Sequence, residues 1–496
     1  MDRGESDKAG APASQPADAI GLPVLAAVVA IAFVAMLPYF YGYRLSGDDI
    51  WFLTLAIEGR DAIISNAIHV AQEQGRIGQV LMVPLNVLGS VIAGDAAGRI
   101  GILVAYTAQL MLFAVFVAQL LRRSSAAQQV WPFLFLLLVA LHPLAFSFMP
   151  PNAYPLQNTI PFIVILLARL AMLRLRRARA PCRLCVALAQ AAFALGMFVS
   201  EFAVAFGTAL LIAEYLARYG WARAEGRSGS SGAIRVAFAP HFLVSDAAAA
   251  LAVLVPYVVF RWMFPGTYEG NSIGGVSDPA RVIITVFGHV RDGTAFPRLG
   301  GGLRSASPGD LVIALMLGLA VAVALYRTSA PVLSLAAPGW TLIVSLMLAA
   351  YVTLPVAVSA KYQSACVEWG ACGYLDSRMS YLAVTVALMA AVAAGWRLCG
   401  QARDRRRFLI GACAALGVMA ALVSIYNAGK ARDMRHVHEV WLRADALVCA
   451  GPIPPDGMEA WVQQVDPSGF VVVNPPNQVA DFWRVYAPWR AQRICQ

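Results

Sequence analysis

Charge is scarce in this chain. Asp, Glu, Lys and Arg make up 13% of its 496 residues, where a soluble domain carries about 25%. That excludes a soluble multidomain enzyme and a disordered chain. Lysine is almost missing, with only Lys8, Lys361 and Lys430. The net charge of +10 therefore rests on arginine. It gathers in short segments between apolar runs, the footprint of membrane topology, so no nucleic-acid partner is expected. Cys182 and Cys185 form a lone CxxC with no second pair and no nearby histidine, too little for a zinc site. No internal repeat stands out, and the one low-complexity tract, EGRSGSSG (225–232), reads as a flexible linker. No cleavable signal is expected either, because the flank Pro38-Tyr39-Phe40-Tyr41 of the first apolar run is not a small-residue cleavage site.

Apolar residues are abundant: 59% of the chain, with a mean hydropathy of +0.65. The pattern predicts an all-α polytopic membrane protein. Eleven stretches approach bilayer length: 20–41, 98–121, 130–149, 157–174, 183–200, 202–219, 238–260, 310–327, 338–358, 379–397 and 407–427. Residues 77–93 are apolar enough for a twelfth, but counting them would put the arginine-rich loops on the wrong side or demand an external N-terminus. Those loops are Arg122-Arg123, Arg174 to Arg183, Arg218 to Arg235 and Arg403 to Arg407. With eleven crossings and a cytoplasmic N-terminus all four lie inside, so 77–93 reads as an interfacial or re-entrant helix. The expected organisation is a cytoplasmic tail (1–19), a transmembrane module (20–427) with external loops 42–97, 261–309 and 359–378, and an external C-terminal unit (428–496). FVVVN (470–474) predicts a strand, making that unit a small α/β domain. Cys366 with Cys372, and Cys449 with Cys495, fall outside together, where an oxidising space would join each pair.

The first external loop carries the most chemistry. It reads YRLSGDDIWFLTLAIEGRDAIISNAIHVAQEQGR, placing Asp48 and Asp49 just after the first crossing and ahead of two amphipathic segments. Two acids at a membrane surface can act as a general base on a hydroxyl or ligate a divalent ion. The plain alternative is that Asp48 caps the helix starting near Ile50.

This layout resembles the GT-C superfamily of membrane glycosyltransferases. SGDDIWFLTLA matches its early acidic motif, and GRIGQVLMVPLNVLGSVIAGDAAGRIGIL is similar to the segment leading into the second span of its aminoarabinose and protein-O-mannosyl transferases. The resemblance covers the first ~180 residues in pattern and the rest in topology only. It implies an enzyme of the bacterial inner membrane with its C-terminus in the periplasm. The donor would be a polyprenyl-phosphate-linked sugar, and the acceptor a hydroxyl of an envelope lipid, glycan or protein. Asp48 would be the base and Asp49 its orienting or metal-binding partner, with magnesium or manganese as a candidate cofactor. The donor phosphate would need cationic clamps. Arg378, with Tyr381 one turn on, resembles the Arg-aromatic element of these families, although a snorkelling arginine reads the same way. Lys361, Arg298 and Arg304 are further clamp candidates. Arg76 can pair with the acids or hold phosphate. Tyr154 can stack on a sugar or belong to an aromatic belt. Glu201, at a hairpin tip, belongs either to the site or to an exposed turn. Two competing functions remain: a flippase or transporter of lipid-linked glycan, and an O-antigen ligase or polymerase.

Overall fold

The computed structural model describes residues 21–42, 47–121, 129–144, 153–178, 182–224, 240–267, 278–304, 306–451, 457–469 and 479–495. The N-terminal tail, the 225–232 linker and the predicted strand 470–474 lie outside them.

The described residues are helical, with no strand among them. The chain runs through α1 (Leu22–Gly42), α2 (Asp48–Glu58), α3 (Arg60–Gln74), α4 (Gln79–Ala93), α5 (Ala96–Leu120), α6 (Trp131–Ala140) and α7 (Thr159–Leu175). Next come α8 (Arg183–Phe198), α9 (Glu201–Ala224), α10 (Pro240–Met263), α11 (Pro279–Asp292), α12 (Leu299–Arg304), α13 (Pro308–Thr328) and α14 (Ala330–Leu333). The last are α15 (Pro338–Tyr351), α16 (Leu354–Ala357), α17 (Ala360–Val367), α18 (Leu375–Leu398), α19 (Ala402–Ala450), α20 (Met458–Val465) and α21 (Val479–Ile494).

A helix occupies each of the eleven expected stretches, and eight of them are long and apolar enough to cross a membrane. The stretches 130–149, 157–174 and 183–200 form shorter helices of 10, 17 and 16 residues. α6 stops early for a local reason. Pro143 disfavours a helical His142, and the Asn427 side chain takes over the backbone there. Its Nδ2 donates to the His142 carbonyl at 2.9 Å, and its Oδ1 accepts the Leu144 amide at 2.6 Å.

Contacts sort the helix termini onto two ends. At one end, the corner between α3 and α4 lies on the α8–α9 turn and the end of α10. A Cβ on Gly75 would sit 2.4 Å from the Phe264 carbonyl, and one on Gly78 2.7 Å from that of Val199, so neither position admits a side chain. At the other end, Arg397 donates to the carbonyls of Leu335 and Ala336, and Arg177 to Gln119. The first is called the acid end below, the second the arginine end. Between them α13 and α19 touch backbone to backbone through Gly318 and Gly417, where either Cβ would lie within 2.6 Å of the other's carbonyl. Such small-residue crossings let helices approach closely inside a bilayer.

α19 passes residue 428 without a break and ends at Gly451. Its last turns pack with α20 and α21 around Trp483, which is fully buried beside Trp461 and Trp441. Arg490 ties this unit together, with Nε and Nη2 on the Asp445 carboxylate at 2.8 Å and Nη1 on Asp95 at 3.0 Å. Disulfides join Cys449 to Cys495 and Cys366 to Cys372.

Candidate functional site

α2 begins at Asp48, and its N-cap is Gly47, with φ of 53° and no side-chain cap bond. The capping role considered for Asp48 is therefore not the one it takes. Both carboxylates stand in the first turn, where the helix dipole favours negative charge, and both turn to Tyr154. The Tyr154 amide donates to Asp49 Oδ1 at 3.0 Å, and its hydroxyl donates to Asp48 Oδ2. Tyr154 has φ of +47°, a left-handed conformation costing a non-glycine residue about 1–2 kcal/mol. Burial pushes its phenol well above the usual value, and the nearby Tyr374 and the Asp48 charge push the same way. The tyrosine therefore stays a neutral donor. It is a ligand of the acid pair rather than a member of an aromatic belt.

The two acids differ in access. Asp49 is 1% exposed, whereas Asp48 is half-buried. Behind them Phe52, Leu55, Val83, Val87, Tyr154 and Leu375 form one apolar cluster. Ile50 and Leu53, on the other side of α2, pack into the core of the C-terminal unit. The loop carrying Tyr154 is seated on α4, where Asn86 Nδ2 donates to Gln157 Oε1 at 3.1 Å.

One helical turn beyond Leu375 lies Arg378, 1% exposed. Its Nη2 donates to Gln109 Oε1 at 2.5 Å, and its guanidinium sits 4.0 Å from the centre of the Tyr106 ring. Among the described residues nothing accepts from its Nε or Nη1. Among the described residues this buried cation is supported by an amide and a π-face rather than by a carboxylate, an expensive arrangement for a protein interior. It is not a snorkelling side chain.

His142 extends the polar layer. It is held between the hydroxyls of Tyr39, at Nδ1, and Tyr106, at Nε2. Tyr39 also donates to the Pro143 carbonyl at 2.7 Å. The pattern closes with the imidazole proton on Nδ1. The Tyr381 hydroxyl donates to the Leu138 carbonyl at 2.9 Å, and its ring meets His142 edge-on at 5.0 Å, so Tyr381 is a wall of this layer.

The other candidates are placed elsewhere. Arg76 and Glu201 pair with each other at 2.9 Å, both partly exposed. Arg298 reaches Asp292 at 3.4 Å, and Arg304 is exposed. Lys361 is exposed on α17, next to Tyr362, whose ring lies 4.8 Å from that of Tyr374. Among the described residues no three His, Cys, Asp or Glu gather as a metal cluster.

Two charged groups escape the sequence reading. His289, on α11, meets Asp376 at 2.9 Å, both buried. Arg169, fully buried on α7, binds Glu214 twice at 2.7 Å and Asp246 at 2.9 Å. Arg176 joins both acids, Gln190 donates to Asp246 at 2.8 Å, and Tyr215 does so at 2.7 Å. A signal existed: Arg169 interrupts FIVILLARLAML, and Asp246 interrupts an alanine-rich run. Opposite charges inside two apolar stretches are tolerated when they pair.

An apolar groove of about 810 Å³ open volume runs between α5, α9, α15 and α18. One end is at Met379, the residue after Arg378, and the other is at Trp221 and Trp340. No protein-family model, curated protein or solved structure matches this chain.

Proposed function

We propose that this protein is a membrane glycosyltransferase of the GT-C kind. It would move a sugar from a polyprenyl-phosphate carrier to a hydroxyl of an envelope lipid, glycan or protein at the outer face of a bacterial inner membrane. The observation carrying this reading is the buried Arg378 guanidinium, which meets no carboxylate among the described residues and lies one turn from Leu375 of the cluster behind the acid pair. In this reading the carrier phosphate supplies its anion, and the prenyl chain follows the groove that starts at Met379. Asp48, the more accessible acid, takes the proton of the acceptor hydroxyl as its oxygen attacks the anomeric carbon. The sugar–phosphate bond breaks, its electron pair leaves on the phosphate oxygen beside Arg378, and the anomeric centre inverts. Asp49 fixes the Tyr154 backbone, and the Tyr154 hydroxyl orients Asp48. If the reaction uses a magnesium or manganese ion, Asp48 and Asp49 would be the residues to hold it. Such an ion would help neutralise the departing phosphate.

The arginine-rich loops favour eleven crossings with the N-terminus inside, and α4 lying at the outer surface. A flippase for lipid-linked glycan is the second reading, favoured by the charged residues inside α7, α9 and α10. Each of those carboxylates is held by arginine, which suits a fixed lock better than a moving gate. Proteoliposomes holding a labelled polyprenyl-phosphate sugar and envelope acceptors separate the two. Sugar appearing on a hydroxyl acceptor supports the transferase. Carrier crossing the bilayer with no transfer overturns it.

A further inference from the structure

A second cavity opens at the arginine end, with an open volume of about 650 Å³, between the ends of α5, α7, α9 and α10. Its walls include Arg176, Arg177, Arg218, Trp221, Phe242 and Leu120. Two of these arginines are mostly withdrawn from solvent, with the Arg176 side chain 4% exposed and that of Arg218 17%, while Arg177 is exposed. Phe242 lies under the Arg176 guanidinium at 4.8 Å. Arg218 reaches Glu214 at only 3.7 Å, with Arg169 and Arg176 nearer to the same carboxylate. Among the described residues three guanidiniums thus share the carboxylates of Glu214 and Asp246, three positive charges against two negative. Arg177 stands at the rim, its Nη1 on Gln119 Oε1 at 2.7 Å and its Nη2 on the Gln119 carbonyl at 2.6 Å.

Leu120 and Trp221 line both this cavity and the apolar groove. The cationic chamber therefore adjoins the apolar furrow, with these two side chains between them. A soluble anion would use the first half alone. An amphiphile with a phosphate head and a chain uses both, and the planar donors of arginine suit phosphate oxygens. We propose that this chamber binds the phosphate of an anionic membrane phospholipid, with one hydrocarbon chain entering the arginine end of the groove. The site stands on its own geometry, whatever reaction occurs at the acid end.

The test uses the full-length protein in detergent. Its melting temperature is followed on adding phosphatidylglycerol, phosphatidylcholine or inorganic phosphate, and co-purifying lipid is counted by native mass spectrometry. Phosphatidylglycerol should raise the midpoint and be retained, while the other two should do neither. Arg177→Gln and Arg218→Gln should each bind it about tenfold more weakly, as expected for one lost charge-assisted hydrogen bond. Ala217→Phe narrows the groove and should cut retention without touching a charge. Equal stabilisation by phosphatidylcholine or inorganic phosphate, or unchanged retention in both arginine variants when these fold normally, overturns the proposal.

Discussion

The Tyr154 hydroxyl donates to Asp48 across a separation of 106 residues, and the same residue's amide serves Asp49. One loop residue therefore fixes both acids of the motif. Tyr154→Phe keeps the ring and the amide but removes the phenol. It should lower transfer about tenfold, one hydrogen bond to a charged group, with expression unchanged. The raised phenol pKa also sets a sign. Its contribution to stability is fully present below the unfolded value near 10 and is lost as pH rises through the higher folded value. The wild-type melting midpoint should fall above about pH 10 more steeply than that of Tyr154→Phe, measured by thermal denaturation across alkaline buffers.

Arg378 sets function against stability. Its buried guanidinium meets no carboxylate among the described residues, and it costs desolvation energy that a neutral side chain avoids. Arg378→Met should therefore melt at or above the wild-type temperature while losing carrier binding and transfer. A variant that unfolds, or that still transfers, would count against the phosphate role.

The lock at the arginine end should behave in the opposite way. Glu214→Gln leaves Arg169 with a weaker partner at full burial. Breaking a buried pair costs about 3–5 kcal/mol, so this variant should show a large fall in melting temperature. Glu201→Gln, at the partly exposed pair with Arg76, should cost about 0–1 kcal/mol. Near-equal losses in the two variants would contradict the burial argument.

The Cys449–Cys495 disulfide closes a segment of 46 residues. A loop of that size restricts the unfolded chain by about 4 kcal/mol in the loop-entropy account. Cys449→Ser with Cys495→Ser should loosen α20 and α21 first. Because Ile50 and Leu53 of α2 pack into that unit, hydrogen exchange should rise in α2 as well. Unchanged protection in α2 would show that the acid pair is held without the C-terminal unit.

Much of the helical frame was legible because apolar length and arginine placement are one-dimensional signals. Each predicted stretch holds a helix, and 77–93 holds one of only 15 residues. Hydropathy does not mark the end of α19. It falls after residue 427, yet MRHVHEVWLRADALV contains no breaker, and the helix runs on to Gly451. The acid pair was visible as a motif, but its partner was not. Nothing in MPPNAYPLQN announces that Tyr154 will adopt a left-handed backbone and reach both acids. Pairing across the bundle was equally hidden. Arg76 with Glu201, His289 with Asp376, and Arg169 with two acids all join residues far apart in sequence, and local pattern is silent about such contacts.

The central claim is that Asp48 takes the proton of an acceptor hydroxyl. Its most direct test compares single-turnover sugar transfer by Asp48→Asn and Asp49→Asn in proteoliposomes, at equal protein and saturating carrier. The account predicts no detectable transfer by Asp48→Asn, with carrier still bound through Arg378, and partial transfer by Asp49→Asn. Wild-type rates in Asp48→Asn would contradict it.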